Sequence, residues 1–83
     1  MKSPRDISGD EIITALGRIG FNVTRQTGSH ARLTRIEKGV PSHLTVPRHA
    51  SLKAGTLNAI VRELGALLEV DRNEVLERLF GKR

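Results

Sequence analysis

The hydrophobic period of the chain changes at Gly20, and this change limits the fold more than any other feature. Before it, isoleucine and leucine recur at helical spacing, and Ser8 with Glu11 forms a capping box, which predicts a helix over 9–19. After it, apolar and polar residues alternate, which is typical of a strand over 21–27. This alternation assigns the strand residues to two faces: Phe21 and Val23 on one, and Asn22, Thr24 and Gln26 on the other. The fold must therefore combine a helix with a sheet.

Two short turns divide the next stretch into strands. Gly28 and Ser29 match a two-residue turn with glycine first, so we expect a strand over 30–36. A turn centred near Lys38–Gly39 leads to a strand over 43–47, which ends at a proline. Pairing about this turn places 34 opposite 43, 32 opposite 45 and 30 opposite 47. In this register the buried face holds Ala31, Leu33, Leu44 and Val46, and the exposed face holds His30, Arg32, Thr34, His43 and Thr45.

Two amphipathic stretches complete the chain. The first predicts a helix over 56–64, with Thr56 as its N-cap and Gly65 as its C-terminal left-handed residue. The second, capped by Asp71, predicts a helix over 72–80. We therefore expect a single α+β domain over residues 1–83, with the helices packed on one face of a three-stranded antiparallel sheet.

The positive charge is concentrated in the middle of the chain. The net charge is +5, and between Arg18 and Lys53 seven basic residues face a single acid, Glu37. Such a field attracts polyanions, with nucleic acid first and an anionic membrane or acidic protein next, although a solubilising face has the same composition. With two phenylalanines and no other aromatic residue, contacts to nucleic acid should be made mainly to phosphate and sugar.

The sequence also indicates where the protein acts. Cysteine is absent, which excludes disulfides and thiolate chemistry. No apolar run has the length of a signal peptide core or a membrane span, so a soluble cytoplasmic protein is expected.

Three motifs carry a family resemblance. Gly28-Ser29-His30, Pro47-Arg48-His49 and Gly55-Thr56-Leu57, in this order after a helix that ends in Gly20-Phe21, resemble the HicA family of toxin ribonucleases. The resemblance covers nearly the whole chain. It implies a double-stranded-RNA-binding-like α-β-β-β-α fold, here with a short third helix, and cleavage of messenger RNA. It also implies a HicB-type antitoxin as partner and a catalytic role for His30.

The residues themselves also favour His30 as the catalytic group. RNA carries its own nucleophile, the 2′-hydroxyl, so a nuclease without metal needs only a base, an acid and cations for the phosphate. Imidazole can serve as acid or base near neutral pH. We expect Arg32, Arg48 or Lys53 to bind phosphate, and the products to be a 2′,3′-cyclic phosphate and a 5′-hydroxyl. Gly28 forms the turn, and Ser29 shapes it or donates a hydrogen bond to phosphate.

The other histidines leave alternatives open. The register places His49 just beyond the residue that faces His30, so it is an auxiliary catalytic candidate, or else a loop residue bonded to nearby backbone. His43 is better interpreted as a cross-strand surface partner of Thr34. The spacings of the three histidines match no familiar metal-ligand pattern, so neither a metal nor another cofactor is expected. A non-catalytic RNA-binding module and a protein-binding adaptor are the alternatives to the enzyme.

Overall fold

The computed structural model describes residues 7–81, and the predicted domain limits, 1 and 83, lie outside these described residues. The elements in chain order are α1 (Gly9–Ile19), β1 (Asn22–Thr27), β2 (His30–Glu37), β3 (Val40–Pro47), α2 (Ala54–Leu68) and α3 (Arg72–Phe80). The predicted α+β class is confirmed. The bounds of the first and last helices are those that the sequence predicted.

The three strands form one antiparallel sheet in the order β1-β2-β3. The predicted pairing of β2 with β3 is confirmed, including His30 opposite Pro47 and Thr34 opposite His43. β3 begins at Val40, three residues before the predicted start. The reason is that Lys38 and Gly39 both have positive φ, 53° and 80°, and form a two-residue turn to which both strands extend.

One irregularity interrupts β1. Its pairing with β2 shifts between Val23 and Arg25, so that Thr24 is an extra residue in a β-bulge. The predicted alternation, which placed Gln26 on the same face as Asn22 and Thr24, is therefore wrong beyond the bulge. Gln26 lies opposite the buried Ala31, on the side of the helices.

The helices cover one face of the sheet and enclose the core. The four strand residues predicted to share the buried face are all buried, with Ala31 and Leu33 fully inaccessible to solvent. The core also includes Ile12, Ala15, Leu16, Phe21, Leu52, Ile60, Val61, Leu64, Val75 and Leu79. Among residues 7–81 no helix covers the other face of β2, where His30 and Arg32 are exposed.

The second helix differs most from its prediction. It begins at Ala54 with Lys53 as the N-cap residue, so Thr56 lies inside the helix and does not cap it. Gly65 is also inside it, and a Cβ there would lie 3.1 Å from the Val70 carbonyl oxygen. This glycine therefore allows α2 to approach the start of α3 closely, and the left-handed residue that ends α2 is Glu69, with φ of 60°.

The termini of the other helices follow the sequence signals. The Ser8 hydroxyl accepts a hydrogen bond from the Glu11 amide at 3.0 Å, and the Glu11 carboxylate accepts one from the Ser8 amide at 2.8 Å. Asp71 caps α3 by accepting from the Glu74 amide at 2.9 Å. None of the helices within residues 7–81 combines the length and the apolar character that crossing a membrane requires.

Candidate active site

The β1–β2 turn places His30 at the end of β2, the central strand of the sheet. Gly28 has φ of 58°, whereas Ser29 does not have positive φ, which fits a two-residue turn of type II′. His30 is the first residue of β2 and is exposed. The carbonyl oxygen of Ser29 accepts a hydrogen bond from the Arg48 amide at 2.6 Å, so the turn is joined to the residue that follows β3.

Backbone contacts also fix the loop that follows β3. The Gly9 amide donates to the His49 carbonyl oxygen at 2.9 Å, and the Leu52 amide donates to the Ile7 carbonyl oxygen at 2.8 Å. A Cβ on Gly9 would lie only 1.9 Å from the Pro47 carbonyl oxygen. Only glycine therefore allows the start of α1 to lie against the end of β3 and to hold the loop that carries His49.

These contacts bring two imidazoles together. The ring centroids of His30 and His49 are 6.5 Å apart, with an angle of 64° between the ring planes. Both residues are exposed to solvent. The proximity expected from the strand register is therefore observed, whereas the catalytic roles of the two rings stay predictions.

Arg48 lies beside this pair and is held by two side chains. Its Nε donates to Asp10 Oδ1 at 2.7 Å, and its Nη1 donates to Gln26 Oε1 at 3.1 Å. The Gln26 side chain also donates to the Gly28 carbonyl oxygen at 2.9 Å. Arg48 thus links the loop to α1 and β1. Because Nε and Nη1 are already bonded, only part of its guanidinium is available for the predicted contact with phosphate.

The other predicted phosphate ligands occupy different places. Arg32 projects from the uncovered face of β2, two residues from His30, and Ser29 is exposed in the turn. Lys53 is the N-cap residue of α2. Within residues 7–81 no hydrogen bond or ring contact joins the Lys53 side chain to either imidazole, and its role in binding phosphate stays a prediction.

His43 belongs to a separate chain of hydrogen bonds across the sheet. Its Nδ1 lies 3.0 Å from Thr34 Oγ1 on β2, which in turn lies 2.8 Å from Thr24 Oγ1 on β1. The interpretation of His43 as a cross-strand partner of Thr34 is confirmed. In the part of the chain that the structure describes, no three histidine, aspartate or glutamate side chains are grouped as metal ligands would be.

Sequence reasoning missed three residues that support the site, Gly9, Asp10 and Gln26. Gly9 and Asp10 appear in the sequence only as part of a helix start. Gln26 appears as a polar strand residue, and only the bulge turns it toward Arg48. All three act through contacts with segments more than 20 residues away, such as the Asp10–Arg48 bond, for which the sequence offers no local signal.

Comparison with protein families gives one match. The model of a family described as HicA toxin of bacterial toxin-antitoxin matches residues 9–66, which is more than half of the chain. The matched segment begins with α1 and includes the whole sheet, all three histidines and most of α2. Comparison with curated proteins and with solved structures gives no match.

Proposed function

The chain belongs to the HicA toxin family, the toxin component of bacterial toxin–antitoxin systems, and on this premise we propose that it is a metal-independent endoribonuclease that cleaves messenger RNA. The proposal assigns the activity to a single HicA-like domain over residues 1–83 that acts in the cytoplasm. Its partner is an antitoxin, which we propose to be of the HicB type. The antitoxin would keep the toxin inactive until it is removed.

The observation that carries this proposal is the exposed His30–His49 pair, with ring centroids 6.5 Å apart where β2 begins and β3 has ended. Cleavage of RNA by its own 2′-hydroxyl needs a base on one side of the phosphorus and an acid on the other. Two imidazoles this close can both reach one phosphodiester that lies beside them. No other pair of histidine rings in the described part of the chain is in contact.

The reaction then takes place in one displacement. One imidazole, which we assign to His30, accepts the 2′-hydroxyl proton while the O2′–P bond forms and the P–O5′ bond breaks. The second imidazole, His49, donates a proton to the leaving O5′. The products are a 2′,3′-cyclic phosphate and a 5′-hydroxyl. Arg48 and the Ser29 hydroxyl are the groups available to hold the oxygens of the cleaved phosphate, and Arg32 is available to bind the RNA backbone beside it.

Three histidine variants test this assignment, and the third of them, at His43, is the control. We expect His30→Ala to lower the rate of RNA cleavage by about 10²- to 10⁴-fold, which is the usual contribution of one acid–base group. We expect His49→Ala to lower it substantially as well. His43→Ala should leave the rate close to that of the native chain, because His43 is bonded to Thr34 on the same sheet and does not contact the pair.

The products and the growth phenotype decide between this enzyme and a binding module. Cleavage should persist in EDTA, and a substrate with a 2′-deoxy sugar at the cleavage site should stay intact. His30→Ala should also abolish growth inhibition while RNA binding is retained. Products with 3′-hydroxyl and 5′-phosphate ends would contradict the mechanism, and unchanged cleavage by His30→Ala would contradict the residue assignment.

A further inference from the structure

The open face of the sheet carries an arginine pair that the bulge creates. The bulge at Thr24 places Arg25 directly opposite Arg32 on the neighbouring strand. Side chains of directly opposed residues in an antiparallel pair lie on the same face. Arg32 alternates with the buried Ala31 and Leu33, so both guanidinium groups lie on the uncovered face. Strict alternation from Val23 would instead have placed Arg25 on the side of the helices.

Within residues 7–81 this pair has no acidic partner. Glu37 is the only acid in the three strands; it lies on the other face and forms an ion pair with Arg35 at 2.6 Å. Among residues 7–81 neither Arg25 nor Arg32 has an acidic side chain as partner, whereas Arg35, Arg48 and Arg78 each have one. Like charges directly opposite each other destabilise a sheet, so this arrangement does not serve folding.

We propose that Arg25 and Arg32 together bind the RNA backbone at the phosphate next to the one that is cleaved. The inference rests on the proposed ribonuclease function, from which it takes the ligand class. Arg32 is two residues from His30 on the same face of β2, a distance of about 7 Å along a strand. A strand of RNA that places one phosphate within reach of both imidazoles would therefore continue across the sheet onto the arginine pair.

The chemistry of this face favours an RNA backbone over a protein partner. Hydroxyl groups of Thr27 and Thr45 and the two guanidinium groups supply donors for phosphate and 2′-hydroxyl oxygens. Exposed aromatic side chains, which usually anchor protein interfaces, are absent from all three strands. We therefore assign Arg25, which the sequence did not single out, as a residue that positions the substrate.

Binding to a non-cleavable RNA tests the assignment. The probe is a fluorescein-labelled single-stranded RNA of mixed sequence whose 2′-hydroxyls are methylated, so that it lacks the nucleophile, and its affinity is measured by fluorescence anisotropy over a series of salt concentrations. We expect Arg25→Gln to weaken binding about fivefold at about 0.1 M salt and to reduce the salt slope by about 0.7, the value for one phosphate contact on a single strand. Arg25→Lys, which keeps the charge, should restore most of the affinity.

Arg62→Gln is the matched control, because it removes the same charge from an exposed position on α2, away from the sheet. We expect its affinity to stay within about twofold of the native value, since a distant charge adds little to a direct phosphate contact. The melting temperature of Arg25→Gln should hold or rise, because the substitution removes a like-charge contact. A purely structural role for Arg25 would lower it.

The outcomes separate this inference from the proposed function. Equal effects of Arg25→Gln and Arg62→Gln on RNA binding would overturn the inference even if the native chain cleaves RNA. Loss of antitoxin binding by Arg25→Gln with unchanged RNA binding would also overturn it, and would identify the face as a protein interface. If the native chain binds RNA through Arg25 but does not cleave it, the assignment of Arg25 to RNA binding stands and the ribonuclease proposal fails.

Discussion

The two faces of the first half of strand β2, residues 30–33, differ completely although their residues alternate along one segment. Ala31 and Leu33 are fully buried beneath the helices, whereas His30 and Arg32 are exposed on the open face. The buried face contributes the apolar area that stabilises so small a domain. The open face carries charge and imidazole groups and contributes little to packing.

Residues that stabilise the fold and residues of the candidate site therefore alternate along the same strand. A shift of one position in the pairing would bury the histidine and expose the leucine. The two turns, Gly28–Ser29 and Lys38–Gly39, prevent such a shift because each fixes the pairing of two strands through backbone conformation. Substitutions on the buried face should therefore affect folding, and those on the open face should affect activity.

The largest effect on stability is expected at Leu33. Leu33→Ala should lower the free energy of unfolding by about 2–5 kcal/mol, because it leaves a cavity in a fully buried site. For a domain of this size the melting temperature should fall by at least about 10 °C, which thermal denaturation followed by circular dichroism will measure. RNA cleavage should fall in parallel with the folded fraction.

The control for Leu33 is Ile36→Ala on the same strand, where the side chain is 70% exposed on the other face. We expect this change to cost less than about 0.5 kcal/mol, as exposed substitutions usually do. Similar losses of unfolding free energy from both variants would contradict the expected difference in stability between the two faces.

An intermediate effect is expected at Gly9, which connects the helix layer to the loop carrying His49. Gly9→Ala should cost about 1–3 kcal/mol, since its Cβ would collide with the Pro47 carbonyl oxygen and the start of α1 must move. Because the Gly9 amide holds the His49 carbonyl, cleavage measured below the melting temperature should also fall. Thermal denaturation and initial cleavage rates are the two measurements.

The same helix provides the control, Gly17→Ala, where a new Cβ has no neighbour within 4 Å. Alanine is the better helix former, so this variant should be stabilised by up to about 1 kcal/mol with unchanged cleavage. A Gly9→Ala variant that retained both stability and activity would show that the close contact between α1 and β3 is dispensable.

The smallest effect is expected at Thr34, on the open face but outside the candidate site. Thr34→Val removes the hydroxyl that bonds to Thr24 and His43. We expect a change of less than about 1 kcal/mol, because the freed partners are exposed and bond to water, while valine is favoured in strands. Cleavage should stay within about twofold of the native rate. A loss of cleavage rate as large as that of His30→Ala would instead indicate that His43 takes part in the reaction.

Much of the fold could be predicted from the sequence because its signals are local. The capping box at Ser8, the cap at Asp71 and the two glycine-containing turns each depend on a few neighbouring residues. Alternation then fixed which residues of β2 and β3 face the core. The expected proximity of His30 and His49 follows from the same register, since His30 pairs with Pro47.

The predictions that were wrong concern glycine and alternation, where the local signal is ambiguous. Gly65 could end a helix or allow a close contact within one, and only the position of Val70 shows that it does the latter. Similarly, the alternating pattern of β1 contains no sign of the extra residue at Thr24. Both features depend on how separate segments pack together.

The sequence by itself determined the order of the elements, the register of β2 with β3 and the candidate histidines, because hydrophobic period and turn conformation act over a few residues. Only the tertiary structure decided that Gly9 lies against Pro47, that Arg48 is bonded to Asp10, and that the bulge turns Arg25 toward Arg32. These contacts join residues distant in sequence, and their geometry depends on the packing of the whole domain. The first two contacts hold the loop that carries His49, and the third forms the surface on which we propose that RNA binds.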